Sequence, residues 1–365
     1  MGRPLAVFIP FSFGRGVERV NVTLARALAG LGLEVDVVVG RAKGPYFGEL
    51  NGNTRVIDLE VGRTAASLLP LVRYLKRERP SALLAAPDSG SIVALSAREL
   101  ARVDTRVVTV THAVLSQSLS RKPGLYRSAF PRLLRKMYPR ADTIVAVSAW
   151  VADDLADMAR LPRSRIQVIP NPVVHEELLA QAREPVPHRW LTDRRWPVIL
   201  SVGRLNEEKN YSDLVRAFAR LRQQRPARLI ILGEGAERES LVRLACALGV
   251  ADDIDLPGFV RNPYAYMAQA DLLALSSRYE ALPTVIIEAM ACGCPVVAVD
   301  CPGGVREILQ NGRCGRLVPP GNAHLMAKAL LETLDETPRR ERLKERAAGY
   351  HVDRTVARYR QVLGL

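Results

Sequence analysis

The residues best suited to chemistry in this sequence are two carboxylates that flank a predicted helix start. Glu280 lies in a loop after the apolar run Leu272–Leu275, and Glu288 follows after seven intervening residues, about two helical turns further on. Between them, Pro283 and Thr284 suit a first helical turn, where backbone N–H groups are free and the helix dipole is positive. Such a helix start binds phosphate, and flanking carboxylates can bind sugar hydroxyl groups. The combination predicts a site for a sugar nucleotide.

Two cations follow a second apolar run. Val198–Val202 reads as a buried strand, and the polar loop after it contains Gly203, Arg204 and Lys209. Arginine grips phosphate with a planar fork and lysine acts as a point charge, so the two could neutralise a departing diphosphate. The alternative is that they are two surface cations among the many in this chain.

The first half of the chain contains two weaker candidates. His112 comes just after the apolar strand Val107–Val110, where ligands of parallel sheets bind, although a lone histidine is often structural. Gly14-x-Gly16 follows the apolar run Leu5–Ile9 and permits a close backbone approach. The third glycine of a dinucleotide fingerprint is missing, and a plain strand-to-helix turn is the alternative.

The elements that must position these residues alternate between apolar strands and amphipathic helices. This pattern predicts an α/β protein with parallel sheets and ligands at the carboxyl ends of the strands. A length of 365 residues exceeds one ordinary domain. The periodic pattern breaks between 174 and 196, so we expect domains at 1–185 and 186–345 and a final helical segment at 346–365.

Composition excludes several classes of protein. The sequence is 48% apolar and 25% charged, as in ordinary soluble proteins, and no run approaches the ~20 apolar residues that span a bilayer. The N-terminal apolar run is too short for a signal peptide and lacks a cleavage site, so we expect a cytoplasmic protein. Five cysteines without C-x-x-C spacing argue against a disulfide framework or a zinc site.

The net charge of +14 favours acidic partners. Between Thr105 and Ala141 there is no acidic residue, and basic, aromatic and apolar residues of 121–140 recur at helical spacing. This stretch could lie on an anionic membrane, or it could pack on the core with a solvated basic face. Pro131 weakens either interpretation as one continuous helix. Nucleic acid is not an expected partner, because the sequence lacks an aromatic RNA platform and zinc-finger spacing.

Several of these motifs together resemble a known family. Glu280-x7-Glu288, followed by Ala-Met-Ala-Cys-Gly-Cys-Pro-Val-Val-Ala, is similar to the signature of the retaining glycosyltransferases of family GT4. Val-Gly-Arg-Leu-x3-Lys-Asn at 202–210 resembles a second motif of that family. Ala281 departs from the pattern, which often has glycine there. The resemblance covers most of the chain, and its most specific motifs lie between Ser201 and Ile308.

The resemblance implies the GT-B fold, which has two Rossmann-like parallel-sheet domains facing a cleft and a C-terminal helix that crosses back to the N-terminal domain. The N-terminal domain would bind the acceptor and the C-terminal domain the donor, with no metal or other cofactor. The residues that would act in catalysis are His112, Glu280, Arg204 and Lys209. Those that would contact the donor are Gly14, Gly16, Gly203, Arg204, Lys209, Phe259, Val260, Glu280, Leu282, Pro283, Thr284 and Glu288.

The expected activity is that of a retaining hexosyltransferase using a UDP-sugar, with a UDP-N-acetylhexosamine as one candidate. The acceptor would be a lipid-linked glycan or glycolipid in cell-surface polysaccharide or oligosaccharide synthesis, which would place the protein at the inner face of the plasma membrane. The alternatives are a GDP-mannose-dependent mannosyltransferase, a transferase with a soluble acceptor, a sugar-nucleotide-binding protein without catalysis, and a GT-B epimerase. The intact set of Arg204, Lys209, Glu280 and Glu288 argues against a binding protein without catalysis. The resemblance argues against an epimerase, because GT-B epimerases lack this Glu-x7-Glu context.

Overall fold

The computed structural model describes residues 3–10, 16–42, 47–50 and 52–365, and the chain divides into two compact units. Unit 1 comprises Met1–Pro172 and Val352–Leu365, and unit 2 comprises Val173–His351. The boundary therefore falls after Pro172 and not between 185 and 186 as expected.

The earlier boundary has a physical cause in the contacts of the segment after Pro172. The backbone N–H groups of Val173 and Val174 both donate to the carbonyl oxygen of Tyr350, at 3.1 Å. Further along, the Asn262 amide donates to the carbonyl oxygen of Gln181 at 2.9 Å. These contacts tie the segment to unit 2, although its sequence lacks the periodicity of a packed element.

Unit 1 contains a seven-stranded parallel sheet in the order β3-β2-β1-β4-β5-β6-β7. Its strands are short, and most are buried along their whole length, as in a sheet covered on both faces. The strands are β1 (Leu5–Ile9), β2 (Val35–Val39), β3 (Thr54–Asp58), β4 (Ala82–Ala85), β5 (Arg106–Thr111), β6 (Thr143–Ala146) and β7 (Ile166–Val168). The helices between them are α1 (Gly16–Gly30), α2 (Leu68–Glu78), α3 (Asp88–Ala101), α4 (Leu115–Ser120), α5 (Gly124–Met137) and α6 (Ala149–Ala159).

Unit 2 contains a six-stranded parallel sheet in the order β10-β9-β8-β11-β12-β13. The strands are β8 (Val198–Val202), β9 (Arg228–Leu232), β10 (Ile254–Gly258), β11 (Leu272–Leu275), β12 (Val296–Val299) and β13 (Arg316–Val318). The helices are α7 (Glu176–Gln181), α8 (Arg189–Asp193), α9 (Tyr211–Arg222), α10 (Arg238–Ala247), α11 (Pro263–Gln269), α12 (Thr284–Ala291), α13 (Val305–Ile308), α14 (Ala323–Asp335) and α15 (Arg340–Ala347). Buried apolar residues of α9, α14 and the strands form a core on one face of the sheet.

The last helix, α16 (Val352–Leu363), belongs to unit 1. Arg106 in β5 donates from Nε to the carbonyl oxygen of Val362 at 2.7 Å, and Tyr359 is buried. The final helix thus packs on the sheet of the first unit although the preceding 179 residues form the second one.

Both sheets have a topological switch point at their centre. In unit 1 the chain winds outward from β1 to β3 and then restarts beside β1 with β4. In unit 2 it winds from β8 to β10 and then restarts beside β8 with β11. The loops that leave the carboxyl ends of two such neighbouring strands diverge and open a crevice, which is where ligands bind in folds of this kind.

The basic helix α5 is continuous, in contrast to the interruption expected at Pro131. Proline removes one N–H and frees the carbonyl group four residues earlier. Here that carbonyl belongs to Arg127, whose turn is exposed to water, so the helix passes through the proline without a buried unsatisfied group. Among the described residues, no helix is both long enough and apolar enough to cross a bilayer.

Candidate active site

The two loops at the switch point of unit 2 are bound to each other along their length. The loop after β8 runs from Gly203 to Asn210, and the loop after β11 runs from Ser276 to Pro283. Ser276 Oγ donates to the carbonyl oxygen of Lys209 at 2.8 Å. The backbone N–H of Arg278 donates to the carbonyl oxygen of Glu208, also at 2.8 Å. The Tyr279 hydroxyl donates to Glu208 Oε1 at 2.6 Å. The side chains that the sequence assigned to diphosphate and to sugar are therefore brought together by backbone and side-chain contacts.

Lys209 and Glu280 form an ion pair at the centre of these loops. Lys209 Nζ lies 2.5 Å from Glu280 Oε1, and the two side chains are only 20% and 14% exposed. Ser277 Oγ donates to the same Oε1 atom at 2.7 Å. An ammonium group has three N–H donors and a carboxylate has two oxygens, so each partner keeps hydrogen-bonding capacity for a ligand.

The position of Glu280 depends on a glycine in a neighbouring loop. The backbone N–H of Glu280 donates to the carbonyl oxygen of Pro302, and its own carbonyl accepts from the N–H of Gly304. Gly303 has a φ of +126°, and a Cβ atom there would lie 1.5 Å from the carbonyl oxygen of Glu280. Only glycine permits this approach, so the loop after β12 fixes the backbone at Glu280, from which the carboxylate extends.

The helix that follows begins as the sequence predicts. α12 starts at Thr284 with Pro283 at its N-cap, and the proline side chain makes no capping hydrogen bond to the N–H groups of the first turn. Leu282 and Pro283 are buried, which holds this helix start in place, and Glu288 is half-buried on the same helix.

Burial also raises the pKa of the nearby Cys301 thiol to about 12, with the Glu280 carboxylate acting in the same direction, so this cysteine stays protonated.

The remaining donor-site candidates of unit 2 lie on its surface. Arg204 is exposed and forms no ion pair with the residues described above. Phe259, just after β10, is 80% exposed, which is unusual for a phenylalanine, and Val260 beside it is half-buried. An exposed aromatic ring at the carboxyl end of a strand can stack on a planar base.

In unit 1, His112 directly follows β5. Both of its ring nitrogens are buried, and neither has a hydrogen-bond partner among the described residues. Burial lowers the pKa of His112 to about 4, although the nearby Asn171 side chain acts in the opposite direction. The imidazole is therefore neutral at pH 7. The side-chain oxygen of Asn171 is likewise buried and has no partner in the described part of the chain, so two groups able to bind a polar ligand lie close together.

A buried carboxylate at the switch point of unit 1 was not predicted. Asp88, at the start of α3, accepts hydrogen bonds at Oδ1 from Thr111 Oγ1 at 2.6 Å and from the Tyr138 hydroxyl at 2.7 Å. It is 3% exposed, and its burial raises its pKa. Its place after the β4 strand in Ala-Pro-Asp was a usable signal, because a polar residue there follows a strand end.

The structure thus brings together Lys209, Glu280 and the start of α12 within unit 2, and it places His112 in unit 1. Gly16 is the first residue of α1, and Gly14 lies outside the described residues. Within the described ranges, no group of three or more His, Cys, Asp and Glu side chains is arranged to hold a metal ion. The expectation that no metal is required stays a prediction.

Two family models match the chain and between them cover most of it. The model described as glycosyl transferases group 1 matches residues 184–349, and the model described as glycosyltransferase family 4 matches residues 14–177. The solved structure of Alr3699/HepE from Anabaena, in complex with UDP and glucose, superposes with a TM-score of 0.79 at 20% identity and covers 100% of both chains. This likeness supports the predicted fold.

Two relatives illustrate the similarity in sequence. The N-acetylgalactosamine-N,N'-diacetylbacillosaminyl-diphospho-undecaprenol 4-alpha-N-acetylgalactosaminyltransferase of Campylobacter jejuni is 34% identical over 59% of this chain, which spans only 57% of that relative's length. The lipopolysaccharide core biosynthesis glycosyltransferase LpsE of Rhizobium meliloti is 28% identical, and the match covers 92% of this chain and 91% of the length of LpsE. The chain belongs to the glycosyltransferases of family GT4 and has the GT-B fold.

Proposed function

We propose that this protein is a retaining hexosyltransferase that moves a sugar from a UDP-sugar to a lipid-linked glycan or glycolipid acceptor. The observation that carries the proposal is the Lys209–Glu280 pair at the switch point of unit 2, because it offers a cation for diphosphate and a carboxylate for sugar hydroxyls side by side. The UDP and glucose named for the Anabaena structure support the choice of donor. The diphospho-undecaprenol and lipopolysaccharide in the names of the two relatives support the class of acceptor.

In this proposal the charged groups stabilise the leaving nucleotide. Lys209 keeps one N–H on Glu280 and directs the other two at the diphosphate oxygens, and the exposed Arg204 binds the same group. The free amides at the start of α12 add to this stabilisation, each group contributing up to a few kcal/mol in a site that excludes water. Neutralisation by these groups takes the place of a metal ion.

The carboxylates and the histidine orient the sugar nucleotide. Glu280 accepts from a hydroxyl of the transferred sugar at Oε2, since Oε1 already binds Lys209 and Ser277. Glu288 accepts from the ribose hydroxyls. The neutral imidazole of His112 contacts the transferred sugar, as the family resemblance implies. Transfer occurs on the face that the nucleotide leaves, and the departing phosphate accepts the proton of the acceptor hydroxyl.

A thermal-shift screen against UDP, GDP, ADP and their sugars, in EDTA, tests the donor. A ligand at 100 times its Kd adds about 2.7 kcal/mol of stability, so the correct nucleotide should give a clear shift and one of its sugars a larger one. The double variant Arg204→Ala/Lys209→Ala should lose the shift, whereas Arg243→Ala, an exposed arginine on α10, should keep it. A shift that survives in the double variant would mean that the diphosphate binds elsewhere. If GDP-mannose gave the largest shift, the donor would be GDP-mannose and not a UDP-sugar.

Contact with an anionic membrane surface through 121–140 is part of the same proposal. Leu125 is 85% exposed, Leu133 45% and Tyr126 43%, and they lie on a helix whose charged residues are all basic. Exposed apolar side chains among cations suit the interface of an anionic bilayer. Unit 1 would thus contact the inner face of the plasma membrane, where lipid-linked acceptors are found.

Flotation with phosphatidylglycerol vesicles tests this contact. The charge-reversed variant with Glu at Arg132, Arg135 and Lys136 should float less than the wild type. The control variant makes the same change in charge on the exposed face of α2, at Arg73, Lys76 and Arg77. Equal loss in both variants would mean that net charge, and not this helix, determines binding.

A further inference from the structure

A second polar site lies at the edge of the unit 2 sheet opposite the candidate active site. β8, β9 and β10 are parallel, so their first residues, Val198, Arg228 and Ile254, share one edge. Two adjoining cavities of about 630 and 240 Å³ open at this edge, and both are lined by Arg189 and Trp190 of helix α8. Neither cavity is lined by any residue of the candidate active site.

The smaller cavity is built on alternating tryptophan and arginine side chains. The Arg228 guanidinium lies over both indoles, 4.8 Å from the ring centre of Trp190 and 4.3 Å from that of Trp196. Arg189 lies 5.3 Å from the Trp190 ring centre, and Arg195 lies 4.8 Å from that of Trp196. Stacking on the ring faces holds the planar guanidinium groups and leaves their N–H edges available for hydrogen bonds.

The charges that line this cavity are mostly positive. Its lining contains three arginines and one carboxylate, that of Asp193. Arg228 is paired with Asp253, and its buried Nε atom has no hydrogen-bond partner in the described part of the chain. Arg189 and Arg195 are exposed and form no ion pair with any described residue. Two stacked cations with open N–H edges therefore converge on one cavity of about 240 Å³.

The larger cavity has a different lining. It contains Asp252 and Asp255 together with His188, whose Nε2 lies 3.0 Å from Asp255 Oδ2. His188 Nδ1 accepts from the backbone N–H of Trp190, so Nε2 carries the proton and donates to the carboxylate. Carboxylates beside the arginines suit hydroxyl groups on the molecule that carries the anion.

We propose that Arg189 and Arg195 bind a phosphate group in the smaller cavity, on a ligand whose hydroxylated part occupies the larger one. A guanidinium fork matches two oxygens of a phosphate, and arginines already held by stacking lose little side-chain entropy on binding. The phosphate is either that of a soluble sugar phosphate or that of a lipid headgroup. The site is distinct from the diphosphate site at Arg204 and Lys209 and does not depend on the proposed reaction.

Tryptophan fluorescence reports the site directly. The chain has three tryptophans, and Trp150→Phe leaves the two that stack on the arginines. The protein also carries Arg204→Ala and Lys209→Ala, so that the donor site contributes nothing. The probes are inorganic phosphate, glucose 1-phosphate and glucose at equal ionic strength, and vesicles of phosphatidylglycerol or of phosphatidylcholine.

We expect a saturable fluorescence change with glucose 1-phosphate or phosphatidylglycerol vesicles and none with glucose. The double variant Arg189→Gln/Arg195→Gln should weaken binding at least fivefold, whereas Arg243→Gln on α10 should not. A response to the soluble phosphates identifies a sugar phosphate, and a response to anionic vesicles alone identifies a lipid headgroup. If the double variant unfolds, Arg195→Lys replaces it, which keeps the charge but loses the stacked fork and should still weaken binding. No saturable change, or equal binding by wild type and these variants, overturns the proposal.

Discussion

Breaking the Lys209–Glu280 pair from one side should destabilise unit 2 more than removing both charges. Lys209→Met leaves a carboxylate that is 14% exposed with Ser277 as its remaining donor. Losing one partner of a fully buried pair costs about 3–5 kcal/mol, and an exposed pair is worth at most about 1 kcal/mol. Because this pair is mostly but not fully buried, we expect a loss of about 2–3 kcal/mol for Lys209→Met.

Urea unfolding followed by tryptophan fluorescence measures this cost where it arises. Trp190 and Trp196 lie in unit 2 with the ion pair, and Trp150→Phe removes the signal of unit 1. Glu280→Gln keeps an acceptor for Ser277, so the double variant Lys209→Met/Glu280→Gln contains neither a buried charge nor an unpaired hydroxyl. It should be less destabilised than the sum of the single variants by at least about 1 kcal/mol.

Additive effects within about 0.5 kcal/mol would refute this reasoning, since independent sites add to that accuracy. Such a result would mean that solvent already screens the two groups, and the pair would then not fix the position of the carboxylate. The same variants separate stability from function. Lys209→Met should bind UDP more weakly than the wild type even at temperatures where unit 2 is fully folded.

Three further predictions follow from particular contacts. The pKa of His112 is lowered to about 4, so as the pH drops below about 6.5 the unfolded state binds a proton that the folded state does not, and stability should fall between pH 6.5 and 4. His112→Gln should make the urea midpoint of unfolding depend less on pH in this range. Gly303→Ala should lower the free energy of unfolding by more than about 2 kcal/mol and abolish the thermal shift with UDP, because its Cβ would overlap the carbonyl oxygen of Glu280. The control Gly249→Ala, with open space around it, should cost about 1 kcal/mol. Burial raises the pKa of Asp88, so its negative charge opposes folding once the pH exceeds the ordinary pKa of an aspartate. Asp88→Asn should therefore match or exceed wild-type stability at pH 8, whereas Asp88→Ala should lose stability at every pH because it leaves the Thr111 and Tyr138 hydroxyls without their acceptor.

The elements of the fold were predictable because each is encoded locally. Apolar runs such as Leu272–Leu275 form strands at those residues, and the start of α12 at Thr284 follows from proline and threonine before an apolar helical stretch. The boundary between the units was placed too late because it depends on long-range bonds. Val173 and Val174 bind Tyr350, which lies far along the chain, and no local pattern in 173–185 indicates this.

The residues of the candidate site were found from motifs, but the pairing between them was not. The sequence assigned Lys209 to diphosphate and Glu280 to sugar as separate roles, because the adjacency of β8 and β11 is a property of the sheet order. Once the order is known, the contact follows, since loops from neighbouring parallel strands leave the same edge. The ion pair then explains why a lysine, and not a second arginine, suits position 209: an ammonium group can hold the carboxylate with one N–H and still direct two at a ligand.

The arginine and tryptophan cluster was missed for the opposite reason. Residues 187–197 carry prolines and charges without periodicity, and this pattern indicates only the neighbourhood of a domain junction. In the structure the same residues place both Trp190 and Trp196 against the guanidinium of Arg228, which lies more than thirty positions later at the start of β9. Cation–π stacking joins residues by ring geometry and not by spacing, so aperiodic composition cannot distinguish a flexible linker from a packed one. An aromatic residue beside arginine, repeated within a proline-rich stretch, is the signal that indicates the packed form.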